Sequence, residues 1–375
     1  MSWLVGSHRA RGRFASSLLV SWLLLLSSPA FADSFTLAAP LATARYLHAA
    51  TRLPSGKVLV TGGINANGTY LKSAEIYDPA ANTWTPAAPM HQAREEHSAT
   101  MLANGNVLVA GGMTGGLVLL TAEVYNESND AWTTVGSLAT ARYSHTATAL
   151  PSGKLVVVGG LNGNAGTLAT VEIYEPSTRS WHNGTPVPGD RYGHTATWMP
   201  ALGKILVAAG FSSTVGNLGT SYLYDPVANG WSYSGSLALK RMAHSANLLG
   251  SGKVLVAGGL DGGFFNGSLG ACELFDPATN TWGATGSLAI ARGYHTSRVL
   301  PSGKVLAIGG GGNPYFGALD DTEAYKGATG TWSTAASMHV ARLHHTATDL
   351  PTGQVLVVGG SSPNGIEASV EIYNP

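Results

Sequence analysis

Arginine followed at the third position by histidine occurs seven times, at Arg45/His48, Arg94/His97, Arg142/His145, Arg191/His194, Arg241/His244, Arg292/His295 and Arg342/His345. Imidazole binds metals and carries protons, and guanidinium binds carboxylates and phosphates. Seven copies could build a metal or anion ring. Two arguments oppose that. A ligand site needs a few different groups converging on one point, whereas a residue present in every repeat answers a need of every repeat. Seven closely spaced imidazoles would also repel one another once protonated. The expected role is structural, with each Arg and His bonded to backbone or to a recurring acid: Glu75, Glu123, Glu172, Glu273, Glu323 or Glu371. Buried charges require such partners. The fourth repeat has Tyr222 at the acid's position, so Arg191 must find another partner.

The elements that position these residues repeat with them. Successive arginines stand 49, 48, 49, 50, 51 and 50 residues apart. In the third repeat, RYSHTATAL (142–150) alternates like a strand and PSGK (151–154) is a turn. LVVVGG (155–160) is a continuous apolar run suited to a strand buried on both faces. VEIYEP (171–176) is a third strand, and Ser180-Trp181 marks a fourth. Paired glycines recur at 62–63, 111–112, 159–160, 258–259, 309–310 and 359–360, with Ala209-Gly210 in the fourth repeat. The third-strand Tyr recurs at 77, 125, 174, 224, 325 and 373, with Phe275 in the fifth. The late Trp recurs as Trp84, Trp132, Trp181, Trp231, Trp282 and Trp332.

Double Gly, then Glu-x-Tyr, then Trp, at a period near 50, resembles the Kelch family, and the resemblance covers residues 33–375. It implies an all-β, seven-bladed β-propeller with four antiparallel strands per blade. The repeats run approximately 42–90, 91–138, 139–187, 188–237, 238–288, 289–338 and 339–375. The last stops before any Trp strand. Phe35 lies ten residues before Arg45, as Trp84 lies ten before Arg94. Residues 33–41 are therefore expected to supply the fourth strand of the last blade and close the ring.

Fixed positions hold such a scaffold, and varying ones are free to carry function. The two residues between each Arg and His vary, and the resemblance places them near the mouth of the central channel. They include Tyr46, Glu95, Glu96, Tyr143, Tyr192, Tyr294 and His344. The long loops on the same face add Tyr70, Phe264, Phe265, Tyr315 and Phe316. Aromatic rings on Gly-rich loops suit contact with a sugar or a peptide. The expected function is a non-catalytic binding module recognising a protein, peptide or glycan through this face.

Enzymatic alternatives come from the resemblance. Some exported Kelch propellers act on sialic acid, and a mutarotase-like role would use Glu95, Glu96 and His344 as acid and base. Copper-radical oxidases with a Kelch-like propeller need a Cys joined to a Tyr, a second Tyr and two His. Here Cys272 stands where most repeats have Ala or Val, and His91, His182, His339 and His344 show no metal-ligand spacing. No metal or other cofactor is expected. Asp261, Asp320 and Asp321 stand apart from other acids, which is poor for calcium.

Residues 1–32 have the form of a secretion signal. Arg9, Arg11 and Arg13 precede the apolar stretch 17–26, and Ala30 and Ala32 suit cleavage. A secreted or periplasmic monomer without a membrane span is expected after cleavage. Without Arg9, Arg11 and Arg13, 18 of the 21 basic residues remain against 21 acidic ones, too few for nucleic-acid binding. One cysteine allows no internal disulfide.

Overall fold

The computed structural model describes residues 33–262, 267–311 and 317–375, with Gly6 ahead of them. Phe264, Phe265, Tyr315, Phe316 and the remainder of the expected signal lie outside the described residues. No described helix is long and apolar enough to cross a membrane.

The unit spanning 33–375 is a ring of seven four-stranded antiparallel sheets. Blade one comprises Ala49–Arg52, Val58–Thr61, Ala74–Asp78 and Thr83–Ala87, paired in sequence order. Each first strand touches the first strands of both neighbours, and that of blade seven touches that of blade one. These strands therefore line the axis.

The apolar second strands explain the core. In blade three, Leu155 and Val157 pack towards blade two, while Val156 and Val158 pack towards blade four. Successive side chains of a strand point to opposite faces, so a sheet buried on both sides needs an unbroken apolar run. The same pattern joins blade seven to blade one, through Val58 and Val60 against Leu356 and Val358. The core is thus a series of inter-blade layers.

The glycine pair fastens the blades. Gly63 N–H donates to the Arg94 carbonyl at 2.9 Å, and the equivalent bond recurs around the ring to Gly360, which donates to Arg45 at 2.9 Å. The approach leaves no room for a Cβ: one added at Gly111, which has φ +64°, would lie 2.4 Å from the Arg142 carbonyl oxygen. Blade four is the exception. Its second and third strands extend to Lys204–Ser212 and Gly216–Asp225, with a register shift between Ala208 and Gly210.

An N-terminal strand completes the last blade. Ser34–Ala38 pairs antiparallel with Val370–Asn374, and Phe35 opposes Tyr373. The Trp positions link neighbouring blades: the Trp84 indole N–H donates to the Ala39 carbonyl at 2.7 Å.

Candidate functional site

Each arginine of the repeat is fully buried. Arg142 Nη2 donates to Glu172 Oε1 at 2.7 Å, and its Nη1 donates to the Gly159 carbonyl at 2.7 Å. Glu172 also accepts the backbone N–H groups of Ala139 and Thr140, at 2.6 and 3.1 Å. Blades one, two, five, six and seven repeat the ion pair at 2.7–2.9 Å. Each cluster ties a first strand, a third strand and the incoming connection together.

Blade four solves the same problem differently. The Arg191 guanidinium carbon lies 5.4 Å from the centre of the Tyr222 ring, a cation–π arrangement. Pro188 occupies the position of Ala139 and has no N–H to offer a carboxylate, so the missing acid and the missing donor go together. Burial pushes Arg191 down to about 10.

This contrast predicts a stability difference. Glu172→Ala strands the Arg142 charge and the Ala139 and Thr140 N–H groups, and is expected to cost about 3–4 kcal/mol. Tyr222→Leu is expected to cost only about 1–2 kcal/mol. Denaturant melts of the two variants check the order, and equal losses would show that the carboxylate is dispensable.

The histidines correct the sequence expectation. Their partners are hydroxyls of the preceding blade, not backbone or glutamate. His145 Nε2 lies 2.9 Å from Ser98 Oγ, and His194 Nε2 lies 2.9 Å from Thr146 Oγ1. The partner is the residue that follows the preceding blade's His. Blade one has Ala49 there, and His97 turns instead to Thr61 Oγ1 at 2.9 Å, across the strand pair from Ala49. Burial, with the adjacent guanidinium charge, pushes His48, His145 and His295 down to about 3 and holds His97, His194, His244 and His345 well below the usual range.

The two varied residues between Arg and His behave differently from each other. The first forms a bridge with the residue after the glycine pair, as Glu95 does with Met113 and Tyr143 with Leu161. The second is left-handed in every blade: Leu47, Glu96, Ser144, Gly193, Ala243, Tyr294 and His344 all have φ between 48° and 61°. Their backbones link around the axis, Glu96 N–H donating to Leu47 at 3.1 Å and Ser144 N–H to Glu96 at 3.1 Å.

Within this girdle lies a cavity of about 740 Å³. Of the expected residues it gathers Glu96, Tyr143, Tyr192, Tyr294 and His344. Tyr46, Glu95 and Tyr70 are not among its walls. Glu95 is only 2% exposed, its backbone held against Met113. Tyr70 is held in a bridge to Ile64, on the loop outside the girdle. Sequence reasoning missed the apolar walls Leu47, Met113, Leu161 and Met242. They occupy the same varying positions, or directly follow a glycine pair, and that was their signal.

Among the described residues no Lys or Arg lines the cavity. Burial raises Glu96 to about 7, and burial with the neighbouring Glu96 charge raises Glu95 to about 7. Ser144 Oγ donates to Glu96 Oε2. Tyr294 and His344 pack with ring centres 4.5 Å apart and planes tilted by 45°, and Tyr192 packs against Phe211 at 5.6 Å. The cavity therefore presents aromatic faces, tyrosines and an acid near neutrality.

No curated protein matches this chain. Among solved structures, a fungal alcohol oxidase of the AA5 family in complex with copper aligns over 92% of this chain and 76% of its own, with TM-score 0.77 and 17% identity. YjhT aligns over 79% of this chain and 99% of its own, with TM-score 0.62 and 15% identity. These likenesses concern the fold. The family model of the KLHDC2/KLHL20/DRC7 Kelch-repeats domain matches residues 144–360, more than half of the chain, and the Kelch motif matches residues 45–91. With the repeated glycine, arginine and tryptophan lattice in place, the chain belongs to the Kelch-repeat β-propeller family.

Proposed function

We propose that the protein is an exported, non-catalytic binding module that takes an uncharged or cationic group of a glycan, peptide or protein into the girdle cavity. The carrying observation is that the residues differing from blade to blade converge there, on walls that are mainly apolar and aromatic. Stacking of a sugar ring or apolar side chain on Tyr143, Tyr192 or Tyr294, with hydrogen bonds to Tyr hydroxyls and Glu96, suits such a surface. An anionic group would meet Glu96 with no Lys or Arg in the walls among the described residues. Residues 1–32 support export.

The test is a glycan-array and pull-down screen of residues 33–375. A captured ligand is expected to bind about tenfold more weakly to Tyr192→Ala, a loss of about 1.4 kcal/mol, with the melting temperature changed little. Undiminished affinity in both Tyr192→Ala and Tyr143→Ala would refute the cavity as the site.

One observation favours a second reading, acid–base chemistry on a sugar. A carboxyl near 7 is suited to proton transfer at neutral pH. Glu96→Gln separates the two: loss of anomer interconversion, followed by NMR, indicates catalysis, whereas no turnover by the unaltered protein indicates binding alone.

The copper chemistry named for the fungal oxidase does not fit these residues. No group of three or more His, Cys, Asp or Glu among the described residues is placed to hold a metal. His91 and His339 are bonded through Nδ1 to Glu123 and Glu371 at 2.7 and 2.8 Å. Cys272 is buried in a blade-five strand, its thiol directed at the Gly270 carbonyl.

A further inference from the structure

We infer that the opposite end of the axis holds a second binding site, for a small monocarboxylate with a short apolar tail. Away from the histidines, the first strands of six blades line a separate cavity of about 610 Å³. The third residue after each His is Thr in five blades: Thr51, Thr100, Thr148, Thr197 and Thr348. In blade one, Thr51 Oγ1 donates to the Ala99 carbonyl of the next blade at 3.1 Å.

Blade six has Arg298 at this position. Its Nη2 donates to the Ala347 carbonyl of the next blade, the equivalent of the bond that Thr51 makes in blade one. Its Nη1 donates to the Ser297 carbonyl at 2.7 Å, and its Nε lies 4.0 Å from Asp349 Oδ1. A guanidinium has five N–H groups, so two remain unspent among the described residues. The side chain is 36% exposed and lines the cavity. Five other blades have threonine here, so the fold does not require a charge at this position.

The neighbouring departures from the repeat fall on the same arc. Asn247, Ser297, Asp349 and Arg52 belong to blades five, six, seven and one, which are consecutive around the ring, and all line the cavity. Ser297 Oγ donates to Asn247 Oδ1 at 2.6 Å, and Arg52 Nη1 donates to the Asp349 carbonyl at 3.4 Å. The Thr348 hydroxyl, on a residue 6% exposed, has no partner and also belongs to this wall. Across the cavity stand Met101 and Ala147.

Two cations against one carboxylate leave a single positive charge, which suits a monoanion better than a dianion. Guanidinium and carboxylate match in planar geometry and bind through paired hydrogen bonds. Met101 and Ala147 suit a short hydrocarbon tail. An amine would find only Asp349, already faced by Arg298.

The experiment titrates residues 33–375 with butyrate by calorimetry and ligand-observed NMR, with acetate, inorganic phosphate and butylammonium alongside. Saturable butyrate binding, tighter than that of acetate or phosphate, is expected. Arg298→Thr restores the residue of five other blades, so it should melt like the parent while losing at least tenfold in butyrate affinity. Asp349→Asn should bind butyrate several-fold more tightly. Should Arg298→Thr fail to fold, Arg298→Lys keeps the charge but not the paired donors and should show most of the loss. Absent butyrate binding, an unchanged affinity in the folded Arg298 variant, or butylammonium binding as tight as butyrate would overturn the proposal.

Discussion

The protein is expected to unfold steeply in acid, as pH falls from about 6.5 towards 3. The seven ring histidines are held far below 6.5, to about 3 at His48, His145 and His295. Burial is the largest cause, and the adjacent arginines add to it. In the unfolded chain the same imidazoles protonate near 6.5. Below that pH the unfolded state binds more protons than the folded one, so stability is lost as pH falls from 6.5 towards 3. One histidine contributes about 1.4 kcal/mol per pH unit over this window, and seven acting together about 10. A whole domain is stable by only about 5–15 kcal/mol. Glu95 and Glu96 act with the opposite sign. Their raised values add stability as pH falls from 7 to about 4.5, but two carboxyls do not offset seven imidazoles. Tryptophan fluorescence and circular dichroism against pH measure the transition, whose steepness should report the uptake of several protons. His145→Gln should remove one of them. A melting temperature unchanged between pH 7 and pH 4.5 would contradict the burial of neutral imidazoles.

The sequence discloses the ring because its physical causes are repeated. Gly111 must lack a Cβ where the Arg142 carbonyl approaches, and Arg142 must meet an acid where burial is complete, so both needs recur at every blade. The blade-four exception was legible too, since Tyr222 interrupts a row of glutamates. Its partner in change, Pro188, becomes meaningful only when the donated N–H groups of Ala139 and Ala289 are seen on Glu172 and Glu323. The histidine partners lay in plain view, as the Ser or Thr following six of the seven histidines, yet strand neighbours across blades are not sequence neighbours. Glu95 and Glu96 could not be told apart by variation. The bridge to Met113 at one and the left-handed backbone at the other decide which reaches the cavity. At the far end, the repeated Pro-Ser-Gly-Lys turns gave that face a uniform aspect and hid Arg298, whose departure from threonine lies within a strand.

Deleting residues 33–41 is expected to destabilise the propeller by more than about 5 kcal/mol and to make it aggregate. Phe35 and Leu41 are both buried. Truncating one Phe to Ala in a core costs about 3–5 kcal/mol, and one Leu about 2–5. Phe35 packs edge-on against Tyr373 with centres 5.2 Å apart, and the Tyr373 hydroxyl donates to Asp33 at 2.8 Å. Asp33 also accepts the Ala336 N–H at 3.0 Å, so the segment joins blade seven to blade six. Leu41 N–H donates to the Ala368 carbonyl at 2.9 Å, and Ala39 accepts the Trp84 indole N–H of blade one. Without the segment, Val370–Asn374 becomes an open edge able to pair with another chain. Melting temperature and concentration-dependent light scattering check both parts, and Phe35→Ala should fall between the parent and the deletion. A synthetic peptide of residues 33–41 should suppress the scattering by adding the missing strand. If the deletion melts and scatters like the parent, the ring is held shut by its inter-blade layers alone; the strand pairing of Phe35 with Tyr373 would then be an ornament on a propeller already closed by the bond from Gly360 to Arg45.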